Sequence, residues 1–93
     1  MMFYVYILRC WKSNHRGLPF VYYTGYTSNI DRRYKEHISG KSKWTAQFKR
    51  LELVYTENCG KIRAQAMIRE QQVKKLSRKK KESMIVEYLV GTI

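Results

Sequence analysis

Two residues four apart, Arg33 and His37, open the chemical reading of this 93-residue chain. At that spacing in a helical stretch they stack on one face, a fixed cation beside a proton acceptor. Glu70 is the second feature, the one acidic residue between Glu57 and Glu82. It stands at the edge of an apolar helical stripe, among Lys, Arg and Gln. An inward carboxylate is costly unless it meets a cation or a metal. Its expected partner is an arginine such as Arg33, or Mg²⁺, which takes one or two protein carboxylates and keeps waters for a substrate phosphate. The third feature is tyrosine: five of the eight (Tyr4, Tyr6, Tyr22, Tyr23 and Tyr26) crowd into two short segments. Aromatic residues favour strands, which explains most of them. A buried phenol still needs a hydrogen-bond partner, and near Arg or Lys it can serve as a base or orient a water. Carboxylate, arginine, histidine and phenols together suit metal-assisted phosphodiester hydrolysis. No Gly-x-Ser-x-Gly elbow and no Gly-rich phosphate loop occur.

Charge points the same way. Nineteen Lys and Arg against seven Asp and Glu give a net charge of +12, which calls for a polyanionic partner, nucleic acid first. The cations gather in three places. Lys12, His15 and Arg16 lie in one loop. Lys41, Lys43, Lys49 and Arg50 surround Trp44, which either stacks on an unpaired base or packs under its loop. Lys74, Lys75, Arg78, Lys79, Lys80 and Lys81 put six cations into eight residues. No apolar run reaches membrane-spanning length and no signal-peptide layout opens the chain, so a cytoplasmic protein with no membrane partner is expected. Two cysteines, Cys10 and Cys59, supply neither a disulfide framework nor zinc-type spacing.

These groups must be positioned by few elements. The length allows one domain, residues 1–93, and 44% apolar residues suffice for its core. Phe3–Cys10 reads as a strand buried on both faces and Phe20–Tyr26 as a second, joined antiparallel by a long loop. Ser28 is the expected cap of a helix whose buried stripe is Ile30, Tyr34 and Ile38, ended by Ser39-Gly40. Leu51, Leu53 and Tyr55 alternate with Glu52, Val54 and Thr56 as a third strand. A helix over 61–76 follows, buried through Ile62, Ala66, Val73 and Leu76. Ser77 then caps a last helix reaching about Val90, with Met84, Ile85, Tyr88 and Leu89 as its apolar face. The order β-β-α-β-α-α argues an α+β fold.

At these residues the chain resembles the small free-standing GIY-YIG nuclease domains. Val5-Tyr6 corresponds to the end of the first family motif, with Tyr4 in place of its glycine, and Tyr23-Thr24-Gly25 to the second. Residues 27–37, with Arg33 and His37, resemble the first-helix signature. Gly40–Thr45 and Leu51–Glu57 resemble the segments that follow, and Ala66–Glu70 places Glu70 at the metal position. The likeness spans residues 3 to 85. It implies a central three-stranded antiparallel sheet flanked by helices, and a DNA endonuclease using one Mg²⁺ or Mn²⁺ ion held by Glu70. Tyr23, or Tyr6, would be the general base, Arg33 would stabilise the pentavalent phosphate, and His37 would hold a tyrosine or the phosphate. DNA, branched or single-stranded, is the implied substrate, and DNA repair the implied setting. The rival readings are a nucleic-acid-binding module that keeps the fold without turnover, and an adaptor docking an acidic protein.

Overall fold

The computed structural model describes residues 1–13, 17 and 19–91. His15 and Arg16 of the first basic group lie outside the described residues. The elements run β1 (Tyr4–Trp11), β2 (Phe20–Thr27), α1 (Ile30–Ile38), a 3-10 turn (Thr45–Gln47), β3 (Arg50–Asn58), α2 (Arg63–Lys74) and α3 (Arg78–Gly91). The sheet order is β2-β1-β3, with both pairings antiparallel. β1 is therefore the central strand, and its aromatic and β-branched run is buried from Val5 to Leu8.

Side-chain alternation along β1 divides the protein into two layers. Val5 and Ile7 face α2 and α3, where they pack with Val54, Val73 and Ile85. Tyr6, Leu8 and Cys10 face α1, against Ile30, Tyr34, Leu51 and Leu53. Tyr34 also ties α1 to β3 by donating its hydroxyl to the Leu51 carbonyl at 3.2 Å.

Several expectations are corrected. The cap of α1 is Asn29, not Ser28: the Asn29 side chain accepts from the Arg32 amide at 3.0 Å, and Thr27 Oγ1 takes the Asn29 amide. Ile38 is 56% exposed, whereas His37 is 1% exposed, because the i, i+4, i+7 series rather than i+8 meets the sheet. β3 does not alternate throughout. A bulge between the Ile7 and Leu8 pairings leaves Val54 as the extra residue. Val54 and Tyr55 consequently both face α2 and α3, while Leu53 faces α1. Ile62 sits before α2 and is exposed, as is Leu89 on α3. Ser77 caps α3 as expected, accepting the Lys80 amide at 3.2 Å.

Candidate active site

The site begins at one residue pair on the sheet. Tyr6 of β1 lies directly across from Gly25 of β2. A methyl group built on Gly25 would fall 2.6 Å from the Tyr6 hydroxyl oxygen. Glycine is thus required there because the phenol lies flat over the neighbouring backbone.

Behind Tyr6 runs a buried relay. The Tyr6 hydroxyl lies 2.9 Å from His37 Nε2, and His37 Nδ1 lies 2.8 Å from Thr45 Oγ1. The Thr45 hydroxyl in turn reaches the Ser42 carbonyl at 3.3 Å. A carbonyl can only accept, so Thr45 donates to it and accepts from Nδ1–H. His37 is then the neutral Nδ1–H tautomer, and Nε2 accepts the Tyr6 proton. Burial, followed by the charge of Arg33, pushes the imidazole pKa down to about 4. Burial and the neighbouring Tyr23 phenol push the Tyr6 pKa up, against the pull of Arg33. Tyr6 is therefore a neutral donor to a neutral acceptor, a pair that orients groups rather than carrying charge.

Before this relay opens a cleft of about 370 Å³. Tyr6, Tyr23, Arg33 and Glu70 line it, from β1, β2, α1 and α2 respectively. His37 does not line it but stands behind Tyr6, with the Tyr23 ring edge-on at 5.2 Å. Arg33 donates to Glu36 at 3.2 Å, not to Glu70, so the ion pair between Arg33 and Glu70 is not formed. Glu70 is buried and takes Lys74 at 3.4 Å and Gln71 at 3.3 Å. Both contacts fall on Oε1, and among the described residues Oε2 has none. No three His, Cys, Asp or Glu side chains come together among the described residues. A lone carboxylate with one unengaged oxygen, in a cleft open to water, suits a hard octahedral ion that retains most of its waters. It does not suit zinc.

Sequence reasoning missed three groups. Arg32 and Arg63 also line the cleft, adding two cations to Arg33. Arg32 was masked by its more obvious neighbour, and Arg63 by its place at the start of α2. Thr45 was unsignalled, since nothing in a threonine eight residues past His37 shows that a 3-10 turn brings it back.

The other expected contacts lie around the cleft. Trp44 is half-exposed and stacks on Tyr23 at 5.3 Å and Phe48 at 5.0 Å. Lys41 and Lys43 are exposed on the segment leading to it. Lys75, Lys79 and Lys80 are exposed at the junction of α2 and α3. Lys74 there pairs with Glu70, and Lys81 is half-buried, which lowers its pKa. Arg78 is held by the sheet, donating to the Phe20 carbonyl at 3.0 Å and lying 4.3 Å over the Phe20 ring.

Residues 2–83 match the GIY-YIG catalytic domain family. The chain belongs to the GIY-YIG family. Among its relatives is a UPF0213 protein of Natronomonas pharaonis, 41% identical over 85 residues that cover 90% of this chain and 91% of the relative. The UPF0213 protein YazA of Bacillus subtilis is 38% identical over 85 residues, 90% of this chain and 78% of that protein. The solution structure of a UPF0213 protein from Bacillus halodurans superposes with a TM-score of 0.53 at 41% identity, covering 92% of this chain and 84% of its own. GIY-YIG domains form a nuclease superfamily whose members generally use a divalent metal. No helix among the described residues is long and apolar enough to cross a membrane.

Proposed function

We propose that the chain, as one domain of residues 1–93, is a divalent-metal-dependent endonuclease that hydrolyses phosphodiester bonds in DNA. One observation carries the reading: a single cleft collects Tyr6, Tyr23, Arg33 and Glu70 from four different elements. Tyr23 is the more exposed of the two phenols; as the phenolate, its own proton released to solvent, it takes the proton of the attacking water. Tyr6, locked by His37 and Gly25, fixes where Tyr23 and the phosphate sit. Arg33, paired with Glu36 and within hydrogen-bonding influence of Tyr6 and Tyr23, presents its cation to the oxygens that gain charge at phosphorus. A Mg²⁺ or Mn²⁺ ion on Glu70 would supply Lewis-acid stabilisation of the phosphate and the leaving oxygen.

The surface supports a polyanion. The first turn of α3 holds Arg78 to Lys81 and no acidic residue, against the preference of a helix N-terminus for negative charge. A DNA backbone offsets that arrangement, with Lys41, Lys43 and Lys75 as further contacts. The engagement of Glu70 by Lys74 favours the second reading, a binding module without turnover. Incubation of plasmid and branched DNA with Mg²⁺, Mn²⁺ or EDTA decides between them. Cutting that needs metal and disappears in Arg33→Ala supports the nuclease. Tight binding in EDTA with no cutting under any ion supports the binding module.

A further inference from the structure

A second cleft, of about 420 Å³, is lined by Lys12, Ser13, Val21, Trp44, Gln47 and Phe48. A ladder of rings connects it to the first. The Tyr23 ring lies 5.2 Å from His37 and 5.3 Å from Trp44, tilted only 33° from the indole. Trp44 also meets the Phe48 ring at 5.0 Å, tilted 57°, and keeps 46% of its surface in solvent. Gln47 closes one side, its amide fixed by a 2.7 Å bond to the Trp44 carbonyl. That bond leaves the Gln47 carbonyl oxygen and one N–H for a planar polar edge. Lys12 puts one cation in the lining, and the segment that carries Trp44 is basic. From Ser39 to Arg50 the chain carries Lys41, Lys43, Lys49 and Arg50 and no acidic residue.

We propose that this cleft takes an unpaired nucleobase, stacked on the solvent-exposed part of the Trp44 indole, on the strand whose phosphate lies at Tyr23 and Arg33. The assignment rests on the nuclease-cleft reading for its phosphate. A ring system with polar edges matches the indole face and the Gln47 amide, and its backbone matches the lysines. Bases inside a duplex have both faces covered and must be extruded at a cost of a few kcal/mol. A flap or gap presents a free face at no such cost. The substrate class is therefore DNA with an unpaired nucleotide beside the cut.

Binding in EDTA tests this without cleavage. A fully paired duplex is compared with the same duplex carrying a short flap, with 2-aminopurine at the junction. The parent should prefer the flap by about tenfold and alter the 2-aminopurine emission, the size expected for one aromatic stack. Trp44→Leu keeps an apolar side chain without a π-face and should erase the preference, with duplex affinity retained. Trp44→Phe should keep most of it and controls for folding. Equal affinity of the parent for both DNAs overturns the proposal. So does a flap preference that survives Trp44→Leu, or an equal loss on both DNAs, which would make Trp44 mere packing or a protein-docking residue. Cleavage with Mn²⁺ is scored separately: its absence defeats the nuclease reading and leaves the binding preference to stand or fall alone.

Discussion

Two clusters of tyrosine, arginine and glutamate share the helix α2 and have opposite fates. Arg69 turns toward β3, where it donates to both oxygens of Glu57 at 2.9 to 3.2 Å. Tyr55 adds a 2.6 Å bond to the same carboxylate. Burial works to raise the Glu57 pKa, yet the Arg69 and Tyr55 hydrogen bonds hold the carboxyl below its ordinary range. Burial and Glu57 together push Tyr55 up to about 12. The next residue, Glu70, turns instead toward the cleft with Tyr23 and Arg33, and neither of those pairs with it. The first cluster is paired within itself, Arg69 and Tyr55 both bonding Glu57. The second keeps its cation and carboxylate apart across a space that a phosphate and an ion can occupy. Composition alone does not make a site; incomplete pairing around a cleft does.

Exchanging the two carboxylates should give the largest contrast. Glu70→Gln should lower metal-dependent cleavage by at least ~10²-fold, the scale of losing one preorganised electrostatic group, with DNA affinity held or raised. Glu57→Gln should leave cleavage within about threefold and cost about 1–3 kcal/mol of stability, because Arg69 loses its charged partner. Cleavage assays and thermal melts with and without Mn²⁺ read both. Mn²⁺ should raise the melting point of the parent and not of Glu70→Gln. A reversed pattern would move the site to the Glu57 cluster.

Proton linkage gives the next contrast. His37 has a pKa near 4 in the fold against an ordinary 6.5, so between those values the unfolded chain binds a proton that the folded chain refuses. Its contribution is complete above pH 6.5 and is lost as the pH falls toward 4, by up to about 3 kcal/mol. The depressed carboxyl of Glu57 acts in the same sense but only as the pH drops through about 4.5 and below. Urea titrations between pH 5 and 6.5 therefore isolate His37: the parent should weaken on acidification and His37→Gln should be nearly flat. A flat parent would mean that the relay is not closed.

Close packing comes third. Gly25→Ala drives a methyl group into the Tyr6 phenol and should cost about 1–3 kcal/mol, with cleavage falling further than stability explains. Unchanged cleavage would remove Tyr6 from the site. The smallest effect belongs to Lys74→Ala. It removes the cation 3.4 Å from Glu70, and the Mn²⁺ midpoint for cleavage should drop by less than about fivefold. A rise would make Lys74 a phosphate contact rather than a competitor of the metal.

The strands were legible because β-branched and aromatic runs admit few alternatives, and the order of elements follows from them. The bulge was not, because Leu51, Leu53, Val54 and Tyr55 are all apolar and no charge reveals where the alternation slips. In α1, Ile38 and His37 both continue a helical stripe. Hydrophobicity favours the isoleucine, and the fold chooses the histidine because Tyr6 and Thr45 satisfy both ring nitrogens. The cleft residues were legible as types, since Arg33 and Glu70 have few other uses in such surroundings. Their partners were not: Glu36 and Lys74 are ordinary helix-surface residues that acquire meaning only through proximity.

The central position of β1 has a consequence for motion. Tyr6 rides on the strand bonded on both sides, whose amides should exchange with deuterium only on global unfolding. Glu70 rides on α2, which is packed on one face of the sheet against β2 and β1 and, among the described residues, is hydrogen-bonded to neither. Local opening of α2 would then withdraw the carboxylate and leave the relay standing, a state that still holds a DNA backbone and cannot cut it. Under the proposed nuclease reading, turnover would depend on how often α2 is docked, and amide exchange along residues 63–74 would measure that occupancy.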